Sequence, residues 1–122
     1  MAAVSLYMGS GGKEIVPWRE DFDAAKLEAQ QAHRPMLLYF TASWCEPCQY
    51  MKGTTFASTA VKDSLANFVP VKLDIDRYKT LALQYGIETV PRFFVLDETG
   101  KITRDYDRAM TEDEFLAWIK KS

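Results

Sequence analysis

Apolar positions recur along this chain in two rhythms. Between Asp21 and His33, Phe22, Ala25, Ala29 and Ala32 return at helical spacing among charged neighbours, which predicts an amphipathic helix. Arg34-Pro35 breaks that rhythm. Met36-Leu37-Leu38-Tyr39-Phe40-Thr41 follows as a nearly continuous apolar run, the pattern of a central strand buried on both faces. Ala42-Ser43-Trp44-Cys45-Glu46-Pro47-Cys48 comes directly after it, and Gln49 to Lys52 can continue a helix, so both cysteines fall at a strand-to-helix junction. Ser58 to Asn67 reads as a further helix, with Ser58 as its N-cap and Val61, Leu65 and Phe68 turned inward. Phe68 to Ile75, rich in β-branched residues, reads as a strand.

The second half of the chain is punctuated more sharply. Tyr78 to Tyr85 predicts a short helix ended by Gly86 at the C′ position, after which Ile87 to Val90 runs into Pro91. Phe93 to Leu96 and Lys101 to Tyr106 form an expected hairpin around Asp97-Glu98-Thr99-Gly100. Thr111 and the acids Glu112, Asp113 and Glu114 open a last helix. Its Phe115, Trp118 and Ile119 share one face, and Lys120-Lys121 suits the negative end of its dipole. A short strand near Ile15 completes the expected list, and Trp18 and Trp118 are read as core. This order predicts an α/β chain in which helices flank a central mixed β-sheet on both faces.

Length and composition narrow the picture. With 122 residues, 48% of them apolar and 26% charged, the chain suits one globular domain, taken as residues 13–122. A net charge of −2 leaves no basic surplus for phosphate neutralisation, which argues against a nucleic-acid partner. No run approaches the roughly 18 apolar residues that span a bilayer, so no membrane association is expected of the chain as given. Residues 1–12 lack a charged start followed by an apolar stretch and are kept out of the fold. They read as a flexible N-terminal segment or an artificial remnant in place of a removed signal or anchor.

Cys45 and Cys48 are the only cysteines, and a loop as short as theirs gains little from cross-linking. The pair is better explained by chemistry. A thiolate, not a thiol, attacks a disulfide, so a nucleophilic cysteine needs its pKa lowered from about 8.5. If a helix starts just after Trp44, Cys45 lies where unpaired N–H groups and the helix dipole favour the thiolate, and Cys48 lies one turn on, placed to resolve a mixed disulfide. Pro47 in the first turn costs no backbone bond and stiffens the loop. Glu46 opposes the thiolate by its charge, and Trp44 offers an apolar platform to a peptide.

These motifs, with Val71-Lys72-Leu73-Asp74-Ile75-Asp76 and Tyr85-Gly86-Ile87-Glu88-Thr89-Val90-Pro91 following in order before the hairpin and last helix, resemble the thioredoxin superfamily over about Pro35 to Ile119. The resemblance implies a thioredoxin fold and a thiol–disulfide oxidoreductase, here a reductase of protein disulfides recharged by an upstream reductase. It also implies that Pro91 is a cis-proline facing the cysteines and that Val90 offers backbone hydrogen bonds to a bound peptide. Two positions depart from the family pattern. The buried aspartate expected six residues before the first cysteine is Tyr39, while its lysine neighbour is kept as Lys72. Deprotonation of Cys48 then falls to Lys72, water or Glu46. Arg108 stands where a glycine usually precedes Ala109 on the substrate-binding rim, and its long cationic side chain should change partner choice.

Trp18, the first helix, Arg34-Pro35, the cysteine motif and Thr55-Phe56 further resemble the C-terminal domain of the membrane electron transporter that reduces periplasmic disulfide enzymes. That points to an extracytoplasmic, bacterial periplasmic setting, with a cytoplasmic one as the alternative. No bound cofactor and no metal are implied, and a monomer is expected. Blander readings stand beside these. The cysteines could be inert core thiols, half of a metal site in a carrier, or incidental to a redox-independent peptide-binding module. Lys72 could simply pair with a nearby acid, Arg108 could be a solvated charge, and His33 could bond the carbonyls at its helix end rather than act as a base.

Overall fold

The computed structural model describes residues 12–120. In chain order these form α1 (Phe22–Ala32), β1 (Met36–Thr41), α2 (Glu46–Gly53), a 3-10 turn (Thr55–Ala57), α3 (Thr59–Ser64), β2 (Val69–Asp74), α4 (Lys79–Gln84), β3 (Arg92–Leu96), β4 (Ile102–Tyr106) and α5 (Glu112–Ile119). The sheet order is β2-β1-β3-β4. Strand β1 runs parallel to β2 and antiparallel to β3, and β3 pairs antiparallel with β4.

The long apolar run of β1 has a direct cause, because successive side chains enter two different cores. Leu37 and Tyr39 join Phe93 and Val95 against Met51, Phe56, Val61, Phe115 and Trp118. Met36, Leu38 and Phe40 join Val69, Val71, Leu73, Phe94 and Leu96 against Ala25, Ala29 and Ala82. Each large side chain buried this way contributes about 1.5–3 kcal/mol, so the strand is anchored from both sides. Lys72 alternates with Val71 and Leu73 and therefore emerges on the first of these faces, level with Tyr39.

Helix ends follow their expected chemistry. Asp21 caps α1 by accepting from the Ala24 N–H, Ser58 caps α3 by accepting from the Val61 N–H, and Thr111 and Glu114 form a capping box on α5. Gly86 closes α4 with φ 66°: its N–H donates to Leu83 O, and the Ile87 N–H to Ala82 O at 2.9 Å.

The same arrangement ends α1, but with His33 in the left-handed position at φ 56°. The His33 N–H donates to Gln30 O at 3.4 Å, and the Arg34 N–H donates to Ala29 O at 3.0 Å. The helix-end carbonyls are thus met by backbone rather than by the imidazole, whose Nδ1 lies 3.3 Å from the Glu98 carboxylate. Ala32, the last residue of α1, is exposed instead of facing the core.

No strand forms at Ile15, whose N–H donates to Phe56 O at 2.9 Å. Pairing occurs four residues later, where Arg19 makes an isolated parallel bridge to Val71 along the outer side of β2. The 3-10 turn was not legible in the pattern; it is fastened by the buried Thr55, whose hydroxyl donates to Met110 O at 2.6 Å. Residues 1–11 of the segment set aside from the fold lie outside the described residues. Gly12 does not stand apart: a Cβ there would come within 2.8 Å of the Gly53 carbonyl oxygen. Among the described residues no helix is long and apolar enough to cross a membrane.

Left-handed backbone at a residue with a side chain costs about 1–2 kcal/mol, part of which is offset because glycine has more entropy to lose on folding. Replacing His33 by glycine is therefore expected to raise stability by about 0.5–1 kcal/mol. A urea titration should show a higher midpoint at unchanged slope; an unchanged or lower midpoint would contradict the strain assigned to His33.

Candidate active site

Strand β1 delivers the chain to the cysteines and α2 begins there. Cys45 is the N-cap of this eight-residue helix, in extended backbone, and its Sγ accepts the Cys48 N–H at 3.2 Å. A sulfur that accepts an N–H at a helix start is in the kind of setting that favours negative charge. The two cysteines are joined as a disulfide with Cα atoms 5.3 Å apart, and only 3% of Cys45 and 2% of Cys48 is exposed.

Across from them the Val90–Pro91 peptide bond is cis, and Pro91 is buried at the entry to β3. The Val90 carbonyl oxygen lies 3.6 Å from Cys45 Sγ, within reach of a reduced thiol. Cys45, Cys48, Val90 and Pro91 thus come together. Trp44, Glu46 and Pro47 are exposed beside them, and the Trp44 indole N–H donates to the Asp76 carboxylate at 3.1 Å. Arg108 stands apart in its interactions: its guanidinium pairs with Asp107 at 3.2 Å and sits 5.5 Å from the Tyr106 ring centre.

Behind Cys48, on β1 and β2, lies a cleft of about 280 Å³ whose wall includes Tyr39, Lys72 and Glu14. Lys72 Nζ is 2.6 Å from Glu14 Oε1, the Trp18 indole N–H donates to Glu14 Oε2 at 2.8 Å, and the Lys72 ammonium also faces the Trp18 ring. The acid paired with Lys72 comes from the segment before α1, 58 positions away. Glu14 was not singled out from the sequence, and the one available signal was a lysine between apolar strand residues in need of a counter-charge; that strand, β2, lies at the border of the sheet. Glu46, considered there as a group for Cys48, is exposed and does not line the cleft.

Tyr39, at the position where the family resemblance implies an aspartate, places an aromatic ring in the floor of the cleft. It stacks on Phe93 at 4.9 Å and packs against Trp18 and Phe56. Burial pushes its pKa up to about 12, the Thr41 hydroxyl opposes this through a hydrogen bond, and the Glu14 charge adds to the rise. Among the described residues no group of three or more His, Cys, Asp or Glu is placed to hold a metal ion.

The Tyr39 shift has a testable sign. Its folded pKa lies above the unfolded value of about 10, so its contribution to stability is complete below pH 10 and is lost as pH rises through about 12. Over that window stability should fall by roughly 2–3 kcal/mol more in the wild type than in Tyr39→Phe. Denaturant midpoints measured at several alkaline pH values check this, and parallel losses in the two proteins would contradict it.

Comparison with known proteins agrees with this geometry. Residues 17–98 match the profile of a family described as thioredoxin-like. A thioredoxin H-type from Oryza sativa subsp. indica is 35% identical over 80 residues, covering 66% of this chain and 63% of that protein, so the match spans less than two thirds of the relative's length. A thioredoxin from Thermus thermophilus superposes with a TM-score of 0.77 at 23% identity, covering 86% of this chain and 85% of the other. The DsbD C-terminal domain of Neisseria meningitidis in its oxidised form gives 0.68 at 21% identity, with 83% and 95% covered. At these identities the structural likeness speaks for the fold alone.

Proposed function

The chain belongs to the thioredoxin-like family, and from that premise we propose that it is a thiol–disulfide oxidoreductase reducing protein disulfides through Cys45 and Cys48. One observation carries this reading: a buried cysteine pair whose first sulfur caps a helix and faces the Val90 carbonyl beside Pro91. An inert core pair has no need of the helix-start position or of an exposed tryptophan at its rim.

In the proposed reaction the Cys45 thiolate attacks one sulfur of a substrate disulfide. A mixed disulfide forms and the first substrate sulfur leaves as a thiolate. The Cys48 thiolate then attacks Cys45 Sγ, releasing the second substrate sulfur and closing the Cys45–Cys48 bond. Both substrate thiolates take up protons, and the two electrons come from an upstream dithiol reductase that restores the pair. Val90 supplies main-chain bonds to an extended substrate segment, Pro91 and Pro47 hold the walls that meet it, and Trp44 and Glu46 form its exposed rim. Lys72 acts from behind, on the Cys48 side. Arg108, exposed at the end of β4, favours substrates with acidic flanks. A monomer in an extracytoplasmic compartment is part of this reading, supported by the pattern of Trp18, Arg34-Pro35 and Thr55-Phe56.

Cys48→Ala should accumulate a mixed disulfide through Cys45 when challenged with an oxidised protein, visible as a mass adduct lost on reduction. Cys45→Ser should accumulate none. A Cys48→Ala protein that stays free of adduct would remove the basis of the proposal. The reduction potential should lie near or below about −230 mV, whereas a value of about −120 to −180 mV would make the protein an oxidant or isomerase.

Arg108→Glu should lower kcat/KM for acidic disulfide peptides about threefold to tenfold relative to basic ones, with the difference shrinking as salt rises. Equal losses for both peptides would show Arg108 to be a solvated charge.

A further inference from the structure

Resting on the thiol–disulfide reading above, we infer that the Glu14 carboxylate, held by Lys72 and Trp18, takes the proton from Cys48 through water in the cleft when Cys48 resolves the mixed disulfide. Glu14 thus acts through another molecule and positions the proton's path rather than touching the reacting sulfurs.

The need for such a group follows from the geometry. Cys45 has the Cys48 N–H and the helix N-terminus to favour its thiolate. Cys48 lies one turn inside α2 with 2% of its surface exposed, where burial disfavours the thiolate and bulk hydroxide has poor access. Its proton must leave through whatever the cleft offers.

The charged groups on the cleft wall are Glu14, Glu20, Lys52, Lys72, Asp74 and Arg77. The cations cannot accept a proton. Glu20 is exposed, and the Asp74 carboxylate accepts the N–H of Asp76, in the exposed turn after β2, at 2.8 Å. Of the phenols on the wall, Tyr39 ionises only near pH 12, and the Tyr78 hydroxyl donates to Glu20 O while accepting from the Phe22 N–H.

Glu14 is the acid held inward. Its side chain is 15% exposed, and its carboxylate is held at both oxygens, by Lys72 Nζ at 2.6 Å and the Trp18 indole at 2.8 Å. Its charge is felt at Tyr39, which shares an apolar cluster with Cys48. The balance is simple. The Cys48 S–H bond breaks, its proton reaches Glu14 by way of water, the Cys45–Cys48 bond forms, and the substrate sulfur leaves with the electron pair of the broken mixed disulfide. Protonated Glu14 then returns the proton to solvent through the cleft, while Lys72 stays an ammonium throughout.

A chromogenic aromatic disulfide mixed with the reduced protein releases one coloured thiolate when Cys45 attacks and a second when Cys48 resolves, so stopped-flow absorbance separates the two steps. In the wild type the second phase should hold its rate as pH falls from about 8 toward the carboxylate range. In Glu14→Gln it should fall about tenfold per pH unit below about 8.5, reaching a loss of about three-hundredfold near pH 6, while the first phase is unchanged.

A second phase in Glu14→Gln that matches the wild type at every pH overturns the inference, as does a loss produced by Asp74→Asn instead. If Glu14→Gln does not fold, the wild-type profile decides alone, since a second phase proportional to hydroxide across this range also overturns it. Absence of any first phase in the wild type would instead sink the oxidoreductase reading itself.

Discussion

Strand β1 is the constraint on which the rest depends. It is paired on both edges and buried on both faces, so its position admits little slack. A one-residue slip would exchange Leu37 and Tyr39 with Leu38 and Phe40 between two differently shaped cores, at the cost of the close packing on both sides. The strand therefore arrives at Ala42 in one register, and the cysteine loop inherits that precision without contributing to it. The same strand sets the height of Tyr39 beside Lys72 and beside Phe93, which fixes the floor of the polar cleft.

What the sequence made legible was what local physics dictates. The apolar run of β1, the β-branched residues of β2, the caps at Ser58 and Thr111, and the glycine at the end of α4 each have a cause within a few residues, and each is legible from the sequence alone. The strand–cysteine–helix junction was legible for the same reason, since Cys45 caps the helix that its neighbours start. Features made by distant partners were not. Ile15 has strand-like character but bonds to Phe56, and the edge of β2 is met by Arg19, whose side chain is held to Glu28 of α1. His33 gives no sign in its residue type that it will occupy the position glycine usually takes. Glu14 was invisible because its role depends on a fold contact across 58 positions.

The two sides of the disulfide are chemically unlike. Cys45 faces a carbonyl and an exposed rim suited to an extended chain, while Cys48 backs onto a charged cleft. The aromatic ring at position 39 packs against Phe93, Trp18 and Phe56. The floor carries an aromatic ring and the wall carries the charge, Glu14 being supplied by the segment that precedes α1. That segment thus links the packing of Gly12 on Gly53 to the polarity of the active cleft.

The sheet has two unlike borders. At β2 the bridge from Arg19 occupies backbone groups that would otherwise be open, whereas β4 pairs with β3 alone among the described residues. An unpaired strand border is a template for another chain, and β4 carries Arg104 and Asp105 with Lys101, Asp107 and Arg108 at its ends. Each approach of a second copy in register would bring these charges into contact and strip their water. Extending the sheet at β4 therefore means taking ionic side chains out of water, a cost that the covered border at β2 does not present.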